Sequence, residues 1–196
     1  MKKVRDDDRE KIIAHEREFE ILKPLKHKNV VSVIEIYRNE FKNEIYQVME
    51  YVEGSEILDE IAQSGAYSER DAQMLYKQVL EGVEYLHKES VCHRDIKPSN
   101  ILITKDKSSV KLIDFNVAKK IPEGDIIMMY TKSAGTLAFA APERLAEDCR
   151  YTEKVDMWAA GIVLFMLLTG HHPFDTTASA AKLVEQIMHG QENVQD

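Results

Sequence analysis

At 196 residues and 44% hydrophobic content, the chain can bury one good-sized core or two small lobes, while its 31% charged residues solvate the remaining surface. A formal net charge of −8 argues against a nucleic-acid binder, which would carry a basic face. It does not exclude a small anionic ligand held by local lysines and a bound cation.

Residues Met1–Asp8 contain no apolar run and so are not a signal peptide. A charged amphipathic helix is predicted over residues 9–23, with Ile12, Ile13, Phe19 and Leu22 on or near one side and Pro24 ending it. Val30–Tyr37 and Glu44–Val52 read as strands joined by a polar turn over Arg38–Asn43, and Glu53-Gly54-Ser55 breaks the pattern. The clearest helix is Ser68–His87, opened by a capping-box-like Ser68/Asp71 pair and carrying Ala72, Leu75, Tyr76, Val79, Val83 and Leu86 at helical spacing. Residues Asp114–Glu143 read as a long irregular stretch, a kind of connection that is usually functional. Helices follow over Val155–Thr169 and Ser179–His189. The apolar stretch Met157–Leu168 is shorter than the about 20 residues a bilayer needs, so it reads as a helix buried nearly all round. Cys92 and Cys149 lie far apart without metal-ligand spacing and read as free thiols in a reducing compartment. The expectation is a soluble cytoplasmic or nuclear protein with no membrane partner. The order of elements suggests a small α+β lobe, then a helical lobe, joined near Glu53–Ser55.

The chemistry concentrates in residues 93–116. Two short apolar runs, Ile101–Ile103 and Lys111–Ile113, flank a polar turn over Thr104–Ser109 and read as a hairpin. Pairing them end to end sets Asn100 opposite Asp114, where directly opposed residues have Cβ atoms roughly 5 Å apart. An amide oxygen and a carboxylate converging there suit Mg²⁺, a hard cation that binds few protein groups and leaves sites for phosphates. Asp95, five residues before Asn100 in a Pro-containing loop, is placed to orient a hydroxyl and accept its proton, and Lys97 supplies positive charge for a migrating phosphoryl group. Taken singly, such Asp and Asn residues are usually turn formers or caps; the order and spacing of the set carry the functional reading.

That set resembles the eukaryotic protein kinase family. His93-Arg94-Asp95-Ile96-Lys97-Pro98-Ser99-Asn100 matches its catalytic-loop signature, Asp114-Phe115-Asn116 its metal motif D-F-G, and Ala141-Pro142-Glu143 the end of its activation segment. Lys97, with Gly135-Thr136 before Ala141, is similar to serine/threonine rather than tyrosine kinases. The resemblance implies Asp95 as catalytic base, Asn100 and Asp114 as Mg²⁺ ligands, Lys97 on the γ-phosphate, and Thr136 bridging Asp95 and Lys97. It further implies Glu18 as the helix C glutamate, Met49 as gatekeeper, and Glu50-Tyr51-Val52 as the hinge whose backbone bonds adenine. Glu56 would contact the ribose and Leu102 would floor the adenine, the alternative readings being a surface acid and a core leucine. Asp156 would anchor the catalytic loop from below. Met1-Lys2-Lys3-Val4 resembles the end of the third strand, making Lys2 the phosphate lysine, with Lys3 as the alternative. The implied ligands are ATP and Mg²⁺, and the implied partners are protein substrates.

The implied fold is α+β and two-lobed, with a partial small β-rich lobe over 1–52, starting at the third strand, and a mostly helical large lobe over 53–196 reaching helix G. No glycine precedes Gly54, so the Gly-rich loop is missing from this reading, as are the final helices. Glu143 would then be a buried acid without its usual arginine, at a cost of about 3–5 kcal/mol. Asn116 stands where the family has glycine; Asn is among the residues most tolerant of left-handed backbone. Arg94 beside Asp95 resembles kinases ordered by activation-segment phosphorylation, with Thr131 and Ser133 as candidate acceptors. Residues 133–139 are similar to the calmodulin-dependent kinase kinase group. The alternative to an active kinase is a kinase-like binding module without turnover.

Overall fold

The computed structural model describes residues 2–5, 9–39, 41, 44–121, 127–128, 136–146 and 150–190. The chain begins with β1 (Lys2–Arg5), α1 (Arg9–Leu22), β2 (Val33–Asn39) and β3 (Glu44–Met49). The three strands form an antiparallel sheet in the order β1-β3-β2. Helix α1 buries Ile12, Phe19 and Leu22, as its spacing requires, whereas Ile13, one position off that stripe, is 38% exposed.

Strand β2 starts three residues later than predicted because Val30 and Val31 bond to Leu112 of the other lobe instead. Val30 forms a parallel bridge with Leu112, the Val31 N–H donates to Leu112 O at 3.0 Å, and the Leu112 N–H donates to Asn29 O at 2.8 Å. Asn29, fully buried, adds Nδ2 bonds to Gln78 Oε1 at 3.1 Å and Val110 O at 2.9 Å. The segment after α1 is thereby fastened to the large lobe, which sets the small sheet's position over the site.

The large lobe contains β4 (Gly54–Glu56), α2 (Ile57–Ser64), α3 (Glu69–Lys88), β5 (Val91–Cys92), β6 (Ile101–Thr104), β7 (Val110–Leu112), β8 (Lys119–Lys120), β9 (Ile127–Met128), α4 (Pro142–Leu145), β10 (Arg150–Tyr151), α5 (Val155–Thr169) and α6 (Ala180–His189). Neither β4 nor α2 is evident from pattern alone. Gly54 reads as a breaker, yet its missing side chain is what lets β4 pair with β6: a Cβ there would lie 1.9 Å from the Ile103 carbonyl oxygen. Helix α2 spans eight residues and buries only Ile57 and Ile61, too few for a clear period. Helix α3 is capped as predicted, Ser68 Oγ accepting the Asp71 N–H at 3.2 Å.

One core runs through both lobes, from Phe19, Leu22 and Leu25 through Leu75, Val79, Val83 and Leu86 of α3 to Phe115 and Ala160, Val163 and Leu167 of α5. Each fully buried Leu, Val or Phe contributes about 1.5–3 kcal/mol of transfer free energy. Helix α5 is not buried all round, as its sequence suggested: Met157 and Leu168 are 45% and 42% exposed, and Gly161 lies between them on the open stripe. No helix among the described residues is long and apolar enough to cross a membrane. Cys92 is a buried free thiol, and that burial, with Asp156 beside it, pushes its pKa far above the ordinary range. Cys149 lies outside the described residues.

Candidate active site

The loop between β5 and β6 is held from below by Asp156, in the first turn of α5 and fully buried. Its Oδ2 accepts the His93 N–H at 2.8 Å and His87 Nε2–H at 3.0 Å, and its Oδ1 accepts the Arg94 N–H at 2.8 Å. Burial pushes this carboxyl up, but His87, His93 and the Arg94 N–H outweigh it and hold the group below the usual carboxylate range. Arg94, whose N–H is held by this carboxylate, adopts a left-handed backbone, φ 66°, a conformation that persists in a non-glycine residue where the surrounding structure fixes it. Further fastening comes from Arg94 Nε–H to Val117 O at 2.5 Å, from Arg94 Nη1–H to the Tyr151 hydroxyl at 3.2 Å, and from Arg144 Nη1–H to Arg94 O at 2.9 Å.

Above this anchor sits Asp95. Its Oδ1 accepts the Thr136 N–H at 3.0 Å and the Thr136 hydroxyl at 3.2 Å, and its Oδ2 meets Lys97 Nζ at 2.7 Å and Asn100 Nδ2 at 2.9 Å. Lys97 Nζ also donates to Thr136 Oγ1 at 2.8 Å. Asp95, Lys97 and Asn100 of the His93–Asn100 run thus form one connected cluster with Thr136. Burial raises the Asp95 pKa, but Lys97, the Thr136 N–H and Asn100 outweigh it and keep the carboxylate ionised below its ordinary range. Asn100 Nδ2 also donates to Asp95 O at 2.8 Å, so both donors are spent on Asp95 and the amide oxygen is the end left for a cation.

The β6–β7 register corrects one expectation. Ile101 pairs with Leu112, Leu102 with Lys111 and Ile103 with Val110, so Asn100 faces Ile113, whose N–H donates to Asn100 O at 3.0 Å. Asp114 lies one residue beyond the expected pair. A one-residue slip would turn a strand residue to the opposite face, but Asp114 is not in strand conformation: its φ is 63°. That left-handed kink, which costs a non-glycine residue about 1–3 kcal/mol, ends the strand alternation, and Asp114 and Asn100 line one cavity.

A cavity of about 490 Å³ brings most of the expected ligand-binding residues together. Met49, Glu50, Tyr51, Val52, Glu56, Leu102, Ile113, Asn100, Asp114 and Glu18 all line it. Leu102 is only half-buried because it faces this cavity, whereas its neighbours Ile101 and Ile103 are in the core. Glu50 is engaged structurally through both side chain and backbone: Oε1 accepts the Ser32 N–H at 2.6 Å and Lys111 Nζ at 2.8 Å, and its own N–H donates to Ser32 O at 2.9 Å. Buried Glu18 ties α1 to the metal motif, Oε1 accepting the Phe115 N–H at 3.2 Å and Oε2 meeting His15 Nδ1 at 3.2 Å. Among the described residues no group of three or more His, Cys, Asp or Glu side chains is placed to hold a metal. The oxygen pair from Asn100 and Asp114 fits Mg²⁺, which takes one or two protein groups and completes its shell with phosphates and water.

Several expectations fall elsewhere. The Lys2 backbone pairs with Gln47 in β1–β3, and that register position is all that is described of it. Thr131 and Ser133 lie outside the described residues. Glu143 is exposed, so it bears no burial cost: the short helix α4 that begins at Pro142 turns its side chain to solvent. Asn116 is not left-handed; the positive φ of the motif belongs to Asp114. Pattern reading gave no role to His93, which is fully buried, packs on Phe115 at 4.5 Å, donates Nε2–H to Ile113 O at 3.0 Å and accepts the Asp95 N–H at 3.3 Å. Its signal was present, since a His flanked by Cys92 and Arg94 at a strand end suits a buried two-sided hydrogen-bonding group.

The comparisons with known proteins agree with this geometry. The chain is 43% identical over 180 residues to the serine/threonine-protein kinase cds1 of Schizosaccharomyces pombe, covering 89% of this chain and 38% of that protein. It is 37% identical over 177 residues to the serine/threonine-protein kinase H1 of Homo sapiens, covering 89% and 41% respectively. Against the probable serine/threonine-protein kinase HSL1 of Saccharomyces cerevisiae it is 40% identical over 161 residues, covering 82% of this chain and 10% of that one. The chain spans about two fifths or less of the length of these relatives. Residues 1–195 match the protein kinase domain family, and the chain belongs to it.

Proposed function

We propose that the chain is the catalytic part of a serine/threonine protein kinase that transfers the γ-phosphoryl group of Mg²⁺-ATP to protein Ser and Thr hydroxyls. The observation that carries this is the Asp95–Lys97–Asn100–Thr136 cluster abutting, through Asn100, a cavity lined by Asp114. Names of the relatives point the same way. In this reading the substrate hydroxyl docks against Asp95. Held in its ionised form, Asp95 is a weak base, suited to orient the hydroxyl and take its proton as the new P–O bond forms. The bond from γ-phosphorus to the bridging oxygen breaks, and ADP leaves with the electron pair. Lys97 steadies the moving phosphoryl charge while Thr136 holds the Asp95–Lys97 pair in place. Asn100 and Asp114 would hold Mg²⁺, which when bound neutralises phosphate charge. Met49 through Val52 and Leu102 would enclose adenine, Glu56 the ribose, and Glu18 would pair with Lys2 at the phosphates. Residues 1–52 and 53–196 are the two lobes in this proposal, and the setting is the cytoplasm or nucleus, which the free, buried Cys92 supports.

The test is incubation with Mg²⁺, γ-labelled ATP and a mixed Ser/Thr/Tyr peptide pool, followed by phosphoamino-acid analysis. Label on Ser and Thr is expected; label confined to Tyr, or ATP hydrolysis without transfer, contradicts the proposal.

A further inference from the structure

The turn Leu137–Phe139 follows directly on Thr136, whose N–H and hydroxyl hold Asp95. It is seated on His172, from the segment between α5 and α6: the Phe139 and His172 rings meet edge to face, with centroids 5.1 Å apart and planes at 88°. We infer that His172 is a positioning residue for phosphoryl transfer, its ring fixing the Leu137–Phe139 turn and through it the Thr136 clasp on Asp95. This rests on the kinase reading above, because it concerns the step that reading assigns to Asp95.

Three observations support it. First, the turn and Thr136 are one unit. The Phe139 N–H donates to Thr136 O at 3.0 Å and the Ala140 N–H to Leu137 O at 3.1 Å, so a displaced Phe139 pulls on Thr136. Thr136 is exposed, so burial does not hold it in place. Second, His172 is fixed from behind. Its Nδ1 lies 3.1 Å from both the N and the O of Phe174, so either tautomer binds that backbone. Phe174, buried, packs on His172 at 5.9 Å and stacks on Trp158 of α5 at 6.5 Å with planes 7° apart. Trp158 lies two residues after Asp156, the anchor of the catalytic loop. Both supports of Asp95, the loop and Thr136, thus hang on one helix. Third, the contact with the turn is made by the ring. His172 Nε2 is enclosed and makes no hydrogen bond among the described residues. Burial lowers the His172 pKa against the Phe174 and Ala138 carbonyls, which favour a proton, so the ring is neutral at pH 7 and packs as an aromatic.

Two substitutions separate the ring from its nitrogen. His172→Asn keeps an acceptor for the Phe174 N–H and removes the ring; His172→Phe keeps a ring against Phe139 and leaves the Phe174 backbone without its partner. The experiment measures kcat with a Ser/Thr peptide, KM for ATP and Tm. It uses the unsubstituted chain, both His172 variants, Phe139→Leu, and the double variant His172→Asn/Phe139→Leu. Misplacement of a reacting group can cost about 100-fold, and because the Thr136 bonds to Asp95 can still form, His172→Asn should lower kcat by a smaller factor, about 5–20-fold. Phe139→Leu should match it, and the double variant should be no slower than the slower single one. His172→Phe should stay within about threefold of the unsubstituted kcat although its Tm falls by about 3–10 °C. KM for ATP should hold within about twofold throughout, since none of these residues lines the nucleotide cavity. An unchanged kcat in His172→Asn, an equal slowing in His172→Phe, rates that simply follow Tm, or losses that multiply in the double variant each overturn this inference alone. If the unsubstituted chain transfers no phosphate, the kinase reading fails and this inference with it.

Discussion

Replacing Asp156 with Asn removes a charge while keeping the shape, and the structure sets the size of the effect. The carboxylate accepts three hydrogen bonds in a site with no solvent access: His93 N–H and His87 Nε2–H on Oδ2, Arg94 N–H on Oδ1. An amide can satisfy two at most. With its oxygen toward His93 and His87, its NH₂ faces the Arg94 N–H, so one bond is lost and a donor is left against a donor. Hydrogen bonds to charged groups contribute about 1.5–3 kcal/mol and a stranded buried donor costs about 1–3 kcal/mol. Non-additivity keeps the total near 2–4 kcal/mol. The left-handed Arg94 backbone then loses the contact that favours it, and Asp95 shifts with it. For a chain of this size each kcal/mol moves Tm by about 2–4 °C, so thermal unfolding followed by circular dichroism should fall by about 5–15 °C. A Tm within one or two degrees of the unsubstituted chain would refute the claim that this carboxylate anchors the loop.

Gly54→Ala should destabilise by about 2–4 kcal/mol in urea unfolding, because a Cβ 1.9 Å from the Ile103 carbonyl forces β4 away from β6; a change under 0.5 kcal/mol would contradict it. Thr136→Val keeps the backbone bond to Asp95 but removes the hydroxyl joining Asp95 to Lys97, so transfer should slow by about 10–100-fold while Mg²⁺-nucleotide affinity holds. Acid should destabilise the fold through Asp156 and Asp95, whose folded pKa values both lie below the ordinary carboxylate range. The unfolded chain then binds more protons as pH falls, so their contribution is complete above the ordinary range and fades as pH drops through and below about 4. In Asp156→Asn that part of the acid dependence should be weaker, read as a flatter Tm-against-pH curve.

Much of the site was legible because its residues are consecutive. The run His93–Asn100 and the triplet Asp114–Asn116 set their own spacing, and long elements such as α3 and α5 show a strong period or an unbroken apolar run. Short elements were not legible. Helix α2 buries two side chains, and β4 is held by the absence of a side chain at Gly54, which a pattern reads as a break. The register error at Asp114 has the same origin: strand alternation cannot reveal a left-handed residue that ends the alternation. The open stripe on α5 and the exposed Glu143 reflect tertiary placement that hydrophobicity alone does not encode.

The measurement that bears most directly on the central claim is single-turnover phosphoryl transfer from Mg²⁺-ATP to a Ser/Thr peptide by Asp95→Asn against the unsubstituted chain. Asn is isosteric and can still meet the Thr136 N–H through its oxygen, so the fold and nucleotide binding should survive. The account predicts a rate lower by about 10²–10⁴-fold with nucleotide affinity unchanged; transfer that persists within a few-fold of the unsubstituted rate would contradict it.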